Sequence, residues 1–372
     1  MLAIHQTEEE ASAQFERAIA ILRDPEAAFT AEMIYSLSDL GGQRLETFHT
    51  VWAELTVERR RQLIKRLVET AETNFELDFS AIVNPALEDA DAEVRQTAIE
   101  GVLEDCPPRI VERLIAIAQA DPFSAVRAVA AQALGVHVLR GELGNLPNAL
   151  NTRLQDAMLA LYRNLDEDQD VRRRSLEAVA NCTREGVPDL IREAYVADEL
   201  PMRASAVFAM GRTCDDVWLP EIMEELSSEY PAMRYEAARA AGELELKPAL
   251  PRLAELAYED DIEIQDMAIW ALGEIGGKAA NQVLTNLASL AETTDDAELA
   301  EAVADAQAAA TLAGEDTLPL FDFGDLDDLD DDDFDDDDLL SLEALAADED
   351  DDLDDEYDLD DEYDLDDDYG DF

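Results

Sequence analysis

Along most of the chain, apolar residues return at intervals of three and four, the spacing that lays a single apolar stripe down an α-helix. The pattern is sharpest between Met202 and Gly273, where one ten-residue phrase occurs three times. It reads Met202-Arg203-Ala204-Ser205-Ala206-Val207-Phe208-Ala209-Met210-Gly211, then Met233-Arg234 to Gly242, then Ile264-Gln265 to Gly273, at two steps of 31 residues. A fixed period of that size predicts a solenoid of stacked helix pairs. Val171-Arg172, Val126-Arg127 and Val94-Arg95 open further copies towards the N-terminus, at steps of 31, 45 and 32 residues.

Each unit is predicted to hold a first helix, a short acidic turn, and a second helix that carries the phrase. From Val217 to Gly242, Leu219, Ile222, Met223 and Leu226 stripe the first helix, and Met233, Ala237 and Ala241 stripe the second, with Pro231 suited to its first turn. Numbering the phrase from its first apolar residue as zero, positions zero, four, seven and eight share the core-facing side, and positions two, three and six turn away. Small residues at four and seven permit close helix approach. Glycine at nine predicts a helix end or bend. In the 45-residue interval the added length falls around Arg140 to Pro147, which predicts a loop or an extended helix end.

The N-terminal helices lack the phrase. Thr7-Glu8-Glu9-Glu10 has capping-box spacing ahead of Phe15, Ala18, Ile19 and Leu22, with Pro25 closing that helix. A second helix is expected after Thr30, stopping at Gly41-Gly42, and a further pair spans Leu45 to Leu55 and Val57 to Ala71. Residues 1–77 are therefore expected to form a helical cap, 78–314 the solenoid, and 315–372 an acidic tail. Arg59-Arg60-Arg61, with Lys65 and Arg66, reads as the solvated side of a helix; a contact for the acidic tail is the sharper alternative.

Charge changes the picture most at the C-terminus. The net charge is −63, and Glu315 to Phe372 contains 32 acids and no Lys or Arg. A block of that density cannot bury enough apolar surface to offset ordering entropy, so a disordered, extended segment is expected. Direct nucleic-acid binding is disfavoured, since phosphate neutralisation needs cations; basic protein partners are favoured. Within the segment, Leu339 to Ala347 could form two amphipathic turns on binding, and a hexad follows three times, placing Tyr357, Tyr363 and Tyr369 as spaced anchors ahead of Phe372. The plain alternative is a solubilising bristle. The acidic end also resembles the tip of bacterial single-stranded-DNA-binding proteins, although the usual proline is absent. Cys106, Cys182 and Cys214 have no metal-ligand spacing and read as reduced thiols of an intracellular protein. With no leader and no long apolar run, a cytoplasmic, monomeric protein without membrane contact is expected. No metal, cofactor or catalytic motif is recognisable; the aspartate runs lack the glycine and ligand spacing of a calcium loop.

Phrases such as Val126-Arg127-Ala128-Val129-Ala130-Ala131-Gln132-Ala133-Leu134-Gly135 and Ile264-Gln265-Asp266-Met267-Ala268-Ile269-Trp270-Ala271-Leu272-Gly273 resemble the short HEAT-like repeats named after phycobilisome lyases. The resemblance covers roughly 78–277 and implies an all-α fold, a right-handed α-α superhelix. It also implies an internal ladder of acid and arginine, here Asp91 with Arg95, Asp168 with Arg172, Asp198 or Glu199 with Arg203, and Glu229 with Arg234, weakened where Gln265 replaces arginine. The family includes bilin-attaching lyases and iron-dependent hydroxylases. The hydroxylases use His-Glu pairs as metal ligands, and His5, His49 and His137 are followed here by Gln6, Thr50 and Val138.

Candidate function therefore sits on positions two, three and six of the second helices, expected to line the concave surface. Phe208, Tyr235, Arg239, Met267 and Trp270 form one patch of hot-spot composition for protein binding. Arg173 and Arg174 form another, either a solvated face with partners one turn away or a docking site for the tail. The resulting expectation is a non-enzymatic interaction scaffold whose tail recruits or shields basic proteins, with nucleic-acid-binding proteins as one candidate class. The alternative is a lyase-like or chaperone-like factor acting on a protein-bound chromophore or cofactor.

Overall fold

The computed structural model describes residues 8–313. Thr7 and the whole acidic segment, with Tyr357, Tyr363, Tyr369 and Phe372, lie outside the described residues. All regular structure among those described is helical, as the three-and-four spacing requires. They fall in two compact units, within Met1–Leu246 and Lys247–Phe372.

The first unit opens with α1 (Glu8–Arg23), α2 (Ala31–Tyr35), α3 (Gly42–Glu54) and α4 (Val57–Thr73). Thr30 and Thr56 start α2 and α4 by accepting hydrogen bonds from the amides of Met33 and Arg59. Five first-and-second-helix pairs follow: α5 (Ser80–Ala86) with α6 (Ala92–Glu100), α7 (Pro108–Ala120) with α8 (Ser124–Glu142), α9 (Asn148–Arg163) with α10 (Gln169–Val179), α11 (Val187–Tyr195) with α12 (Leu200–Arg212), and α13 (Leu219–Glu225) with α14 (Pro231–Glu243). Each second helix packs on its own first helix, and α4, α6, α8, α10, α12 and α14 pack in succession. The phrase explains this row. Its zero and four positions, Val94 and Ala98 through Met233 and Ala237, are buried in every copy of this unit.

The 45-residue interval resolves into an extended helix end and a lengthened partner. Helix α8 runs 19 residues and α9 16, with a short connection between them that contains Gly144 in the left-handed region. At position nine, Gly211 and Gly242 stand one residue before the ends of α12 and α14, as expected, whereas Gly135 lies well inside α8, which continues to Glu142. A Cβ on Gly211 would stand 2.8 Å from the Cα of Ala240 in the next second helix. Close approach, not termination, selects glycine there.

The ladder differs from the expected pairing. Arg95 does not reach the Asp91 carboxylate; its guanidinium makes bonds of 2.8 and 2.9 Å to Asp121 in the following turn and also donates to the Asp89 and Ala90 carbonyls. Asp91 instead caps its own helix through the Val94 amide and receives Arg61 from the preceding one at 2.7 Å. Arg127 to Glu167 at 2.6 Å and Arg203 to Glu225 at 3.4 Å repeat the forward step. Arg172 and Arg234 bind the carbonyls of Tyr162 and Ser228. The reason is helical direction. Asp91 and Asp168 are occupied in capping the helices that their own arginines extend from, and Arg95, Arg127 and Arg203 reach forward along the stack.

Of the basic run, Lys65 and Arg66 are exposed as expected and Arg61 is partly so, but Arg59 and Arg60 are not on a solvated face. Arg59 is buried, donates to the Ile21 carbonyl and stacks on Phe29, while Arg60 pairs with Asp89 at 2.9 Å. They are the first rung of the ladder, one helix earlier than the phrase.

The second unit holds α15 (Leu250–Leu256), α16 (Ile262–Ile275), α17 (Gly277–Thr294) and α18 (Ala297–Ala313). Gln265, in the arginine column, donates to the Ala257 carbonyl at 3.1 Å and so keeps the backbone tie without a charge. Gly273 lies inside α16, where a Cβ would stand 2.9 Å from the Cα of Ala306 on α18.

Candidate protein-binding surface

On α10, α12 and α14, positions two, three and six form a partly buried polar seam instead of a plainly exposed face. Glu177 and Ser205 are buried, and the Ser205 hydroxyl donates to Glu177 Oε1 at 2.5 Å. The other side of that carboxylate takes Arg174 at 2.7 Å, and Arg173 stands 3.6 Å from it while also pairing with Asp170 at 2.6 Å. A second node lies at Glu243, which receives both Arg212 and Arg239 at 3.1 Å. Phe208 is clasped between those two guanidiniums, which lie 6.0 and 4.3 Å from its ring centroid. The ring is half-buried and serves as a platform for the arginines.

Glu236 sits among these groups. Its Oε2 is buried with no hydrogen-bond partner. Burial pushes the carboxyl up to about 7; the nearby Glu177 and Glu243 add to the rise, while Arg239 and Arg174 oppose it. The carboxyl is thus half-protonated near neutral pH, in contact with a charged network.

Of the predicted patch residues, Phe208, Tyr235 and Arg239 lie in the first unit on α12 and α14, each half-buried. Met267, half-buried, and Trp270, 37% exposed, lie on α16 of the second unit. Arg173 and Arg174 stand on α10, engaged as described. Glu177, Ser205, Glu236 and Glu243 were not anticipated, because a bare helical wheel sends positions three and six to solvent. Two consecutive arginines facing a serine and a glutamate in neighbouring copies were the available signal.

Elsewhere in the first unit, a cleft of about 700 Å³ is lined by His49, Ser80, Asn84, Asp105, Cys106 and Arg109, among others. Cys106 Sγ lies 3.9 Å from His137 Nε2, and Arg140 stands 3.2 Å from His137 Nδ1. A guanidinium can only donate, so Nδ1 accepts and the ring proton sits on Nε2, facing the sulfur. Burial, reinforced by Arg140, holds His137 down to about 4 and burial raises the Cys106 thiol. A neutral thiol facing an N–H has no base to activate it, so the pair lacks the electronics of a nucleophilic dyad. Among the described residues no cluster of three or more His, Cys, Asp or Glu is arranged to hold a metal, and no helix is long and apolar enough to cross a membrane.

Residues 219–308 match the family model for HEAT repeats. That stretch carries HEAT repeats. No curated protein matches the chain. Among solved structures, YibA of Escherichia coli is similar at 15% identity over 84% of this chain and 99% of that one, with a TM-score of 0.36. The complex of CpcE and CpcF of phycocyanin lyase from Nostoc sp. is similar at 18% identity over 62% and 93%, TM-score 0.42. Human deoxyhypusine hydroxylase is similar at 16% identity over 81% and 97%, TM-score 0.32. Superpositions this loose say nothing about activity.

Proposed function

We propose that this HEAT-repeat chain is a non-enzymatic scaffold for protein partners that are basic. Two elements do the recognising. One is the outward side of the second helices, with Phe208, Tyr235 and Arg239 in the first unit and, taken separately, Met267 and Trp270 in the second. The other is the polyanionic segment Glu315–Phe372, which recruits or shields cationic proteins by long-range attraction. The observation that carries this reading is the matching of charge on the seam. Arg173, Arg174, Arg212 and Arg239 are all engaged by Glu177 or Glu243, so these cations are already neutralised. An acidic segment of 32 carboxylates without a basic residue then finds better counter-charges on other proteins than on the seam.

The test is a titration of a fluorescent Arg/Lys-rich peptide with the full chain and with a chain ending at Gly314, between about 50 and 300 mM salt, where the screening length falls below 10 Å. Tight binding by the full chain alone, weakening steeply with salt, is the expected result. Equal affinity for the two chains removes the acidic segment from the mechanism. The substitutions Phe208→Ala and Trp270→Ala, each assayed on a captured basic partner, separately test the helix residues of the two units: unchanged capture removes the residues of that unit.

A further inference from the structure

Glycines at position nine fix the register between neighbouring second helices. A Cβ on Gly135 would meet Ala178, one on Gly211 would meet Ala240, and one on Gly273 would meet Ala306. Ala178 and Ala240 each stand at position seven of their phrases. Ala306 is thus position seven of α18, whose phrase begins at Leu299, and its zero and four positions, Leu299 and Val303, are buried as in the other copies. Phe208 on α12 and Trp270 on α16 are equivalent, both at position six.

The two rings have opposite surroundings. Phe208 is covered by two guanidiniums, Arg212 from position ten of its own helix and Arg239 from position six of the next second helix. At Trp270 the same two places hold Glu274 and Asp305. Neither carboxylate is in an ion pair among the described residues, and Glu274 is half-buried while Asp305 is exposed. Among the described residues no cation lies over the Trp270 ring, which is 37% exposed. Residues 247–313 hold 13 acids against three bases, and Arg252, the arginine of that stretch, pairs with Glu255. Burial raises the Asp266 carboxyl, one turn before Trp270, and Glu298 and Asp296 add to the rise with no cation opposing it. An aromatic face is left open among carboxylates at the place where α12 has its ring covered by cations.

We infer that Trp270 seats an arginine of a basic partner protein, its guanidinium stacked on the indole between Glu274 and Asp305. The inference deepens the proposed role as a scaffold for basic proteins and rests on it. Indole attracts a cation more strongly than the other aromatic side chains do. A guanidinium lies flat on such a ring and still donates hydrogen bonds from its edge, whereas a compact ammonium presents no such plane. The Phe208 site completes this arrangement within the chain: Arg212 and Arg239 cover the ring and both reach Glu243 at 3.1 Å. At Trp270 the carboxylates are supplied and the cation is left to the partner. Met267, half-buried and one turn before Trp270 on the same face, offers apolar surface to the arginine stem.

Two fluorescent peptides of equal length and charge test this, one with arginine and the other with lysine at every basic position. Both are titrated into the full chain, into the full chain with Trp270→Leu and into the full chain with Glu274→Arg. The last places an internal guanidinium at the position that Arg212 holds beside Phe208. Both substituted positions are partly open on α16, and circular dichroism checks that the helices remain. We expect the unsubstituted chain to bind the arginine peptide about fivefold more tightly than the lysine peptide. Each substituted chain should lose that preference while keeping its affinity for the lysine peptide. The acidic C-terminal segment is unaltered in all three chains, so a preference arising there survives both substitutions. Equal affinities of the two peptides for the unsubstituted chain overturn the Trp270 site and leave capture by charge standing. A preference that survives either substitution overturns the site as well. Failure of both peptides at low salt overturns the scaffold for basic proteins together with the site.

Discussion

At Gly211 and Gly135 the same residue at the same repeat position meets different surroundings. A Cβ on Gly211 would press to 2.8 Å on the Ala240 backbone and on Glu243 Oε2, whereas one on Gly135 would meet Ala178 Cα at 3.5 Å, an ordinary contact. Gly211→Ala should therefore destabilise the chain by about 1–3 kcal/mol through overpacking. Gly135→Ala should be neutral or stabilising by up to about 1 kcal/mol, since alanine restricts the unfolded helix segment. Thermal melts of the two variants should move in opposite directions. Glu236 gives a second residue-level prediction. Its carboxyl rises from 4.5 to about 7 on folding, so the folded state holds the proton more tightly and stability drains away as pH climbs from 4.5 through 7. Glu236→Gln should then leave stability near pH 5 almost unchanged and raise it by about 2 kcal/mol at about pH 8. Denaturant midpoints at the two pH values check this; a larger gain at the acid end would mean that the carboxyl is ionised in the fold.

At the level of elements, the ladder ties α6 and α8 to the turns that follow them, through Arg95 to Asp121 and Arg127 to Glu167. Arg95 and Asp121 have side chains only 9 and 6% exposed, and removing the cation leaves a buried carboxylate alone. Arg95→Ala should cost about 3–5 kcal/mol, measured by chemical denaturation, and adding Asp121→Asn should recover part of it. The existence of these helices was legible because the apolar spacing in the phrase is strict and the period repeats. The partners of the arginines were not. Spacing along one chain shows that Asp91 and Arg95 are a turn apart, but not that Asp91 spends its oxygens on the Val94 amide and Arg61. Glycine at position nine was legible in part, since Gly211 and Gly242 do stand at helix ends while Gly135 does not. Its usual signal is a helix end, and only the packed neighbour, Ala240 against Gly211, shows that space was the constraint. On the candidate surface, Phe208, Tyr235 and Arg239 lie on second helices as the wheel predicts. The wheel treats each helix as solitary, however, and so placed Ser205 and Glu177 in solvent when the neighbouring helix buries them.

For the whole molecule, self-repulsion dominates. A net charge of −63 exceeds what its ion pairs relieve, and salt screens long-range repulsion more than it weakens short, partly buried pairs. Added salt should raise the melting temperature of the full chain, and a chain ending at Gly314 should respond less. A falling melting temperature would mean that the ladder and surface pairs outweigh the repulsion. The ladder has one more consequence at this scale. Its charged rungs join unlike ends, a guanidinium that reaches forward from one repeat and a carboxylate that waits in the next, as Arg95 to Asp121 and Arg127 to Glu167 show. Couplings of that kind are like hook and eye: a duplicated 31-residue unit arrives with both halves and closes onto its neighbours on either side. Such a chain can lengthen or shorten by whole units during evolution without inventing a new joint.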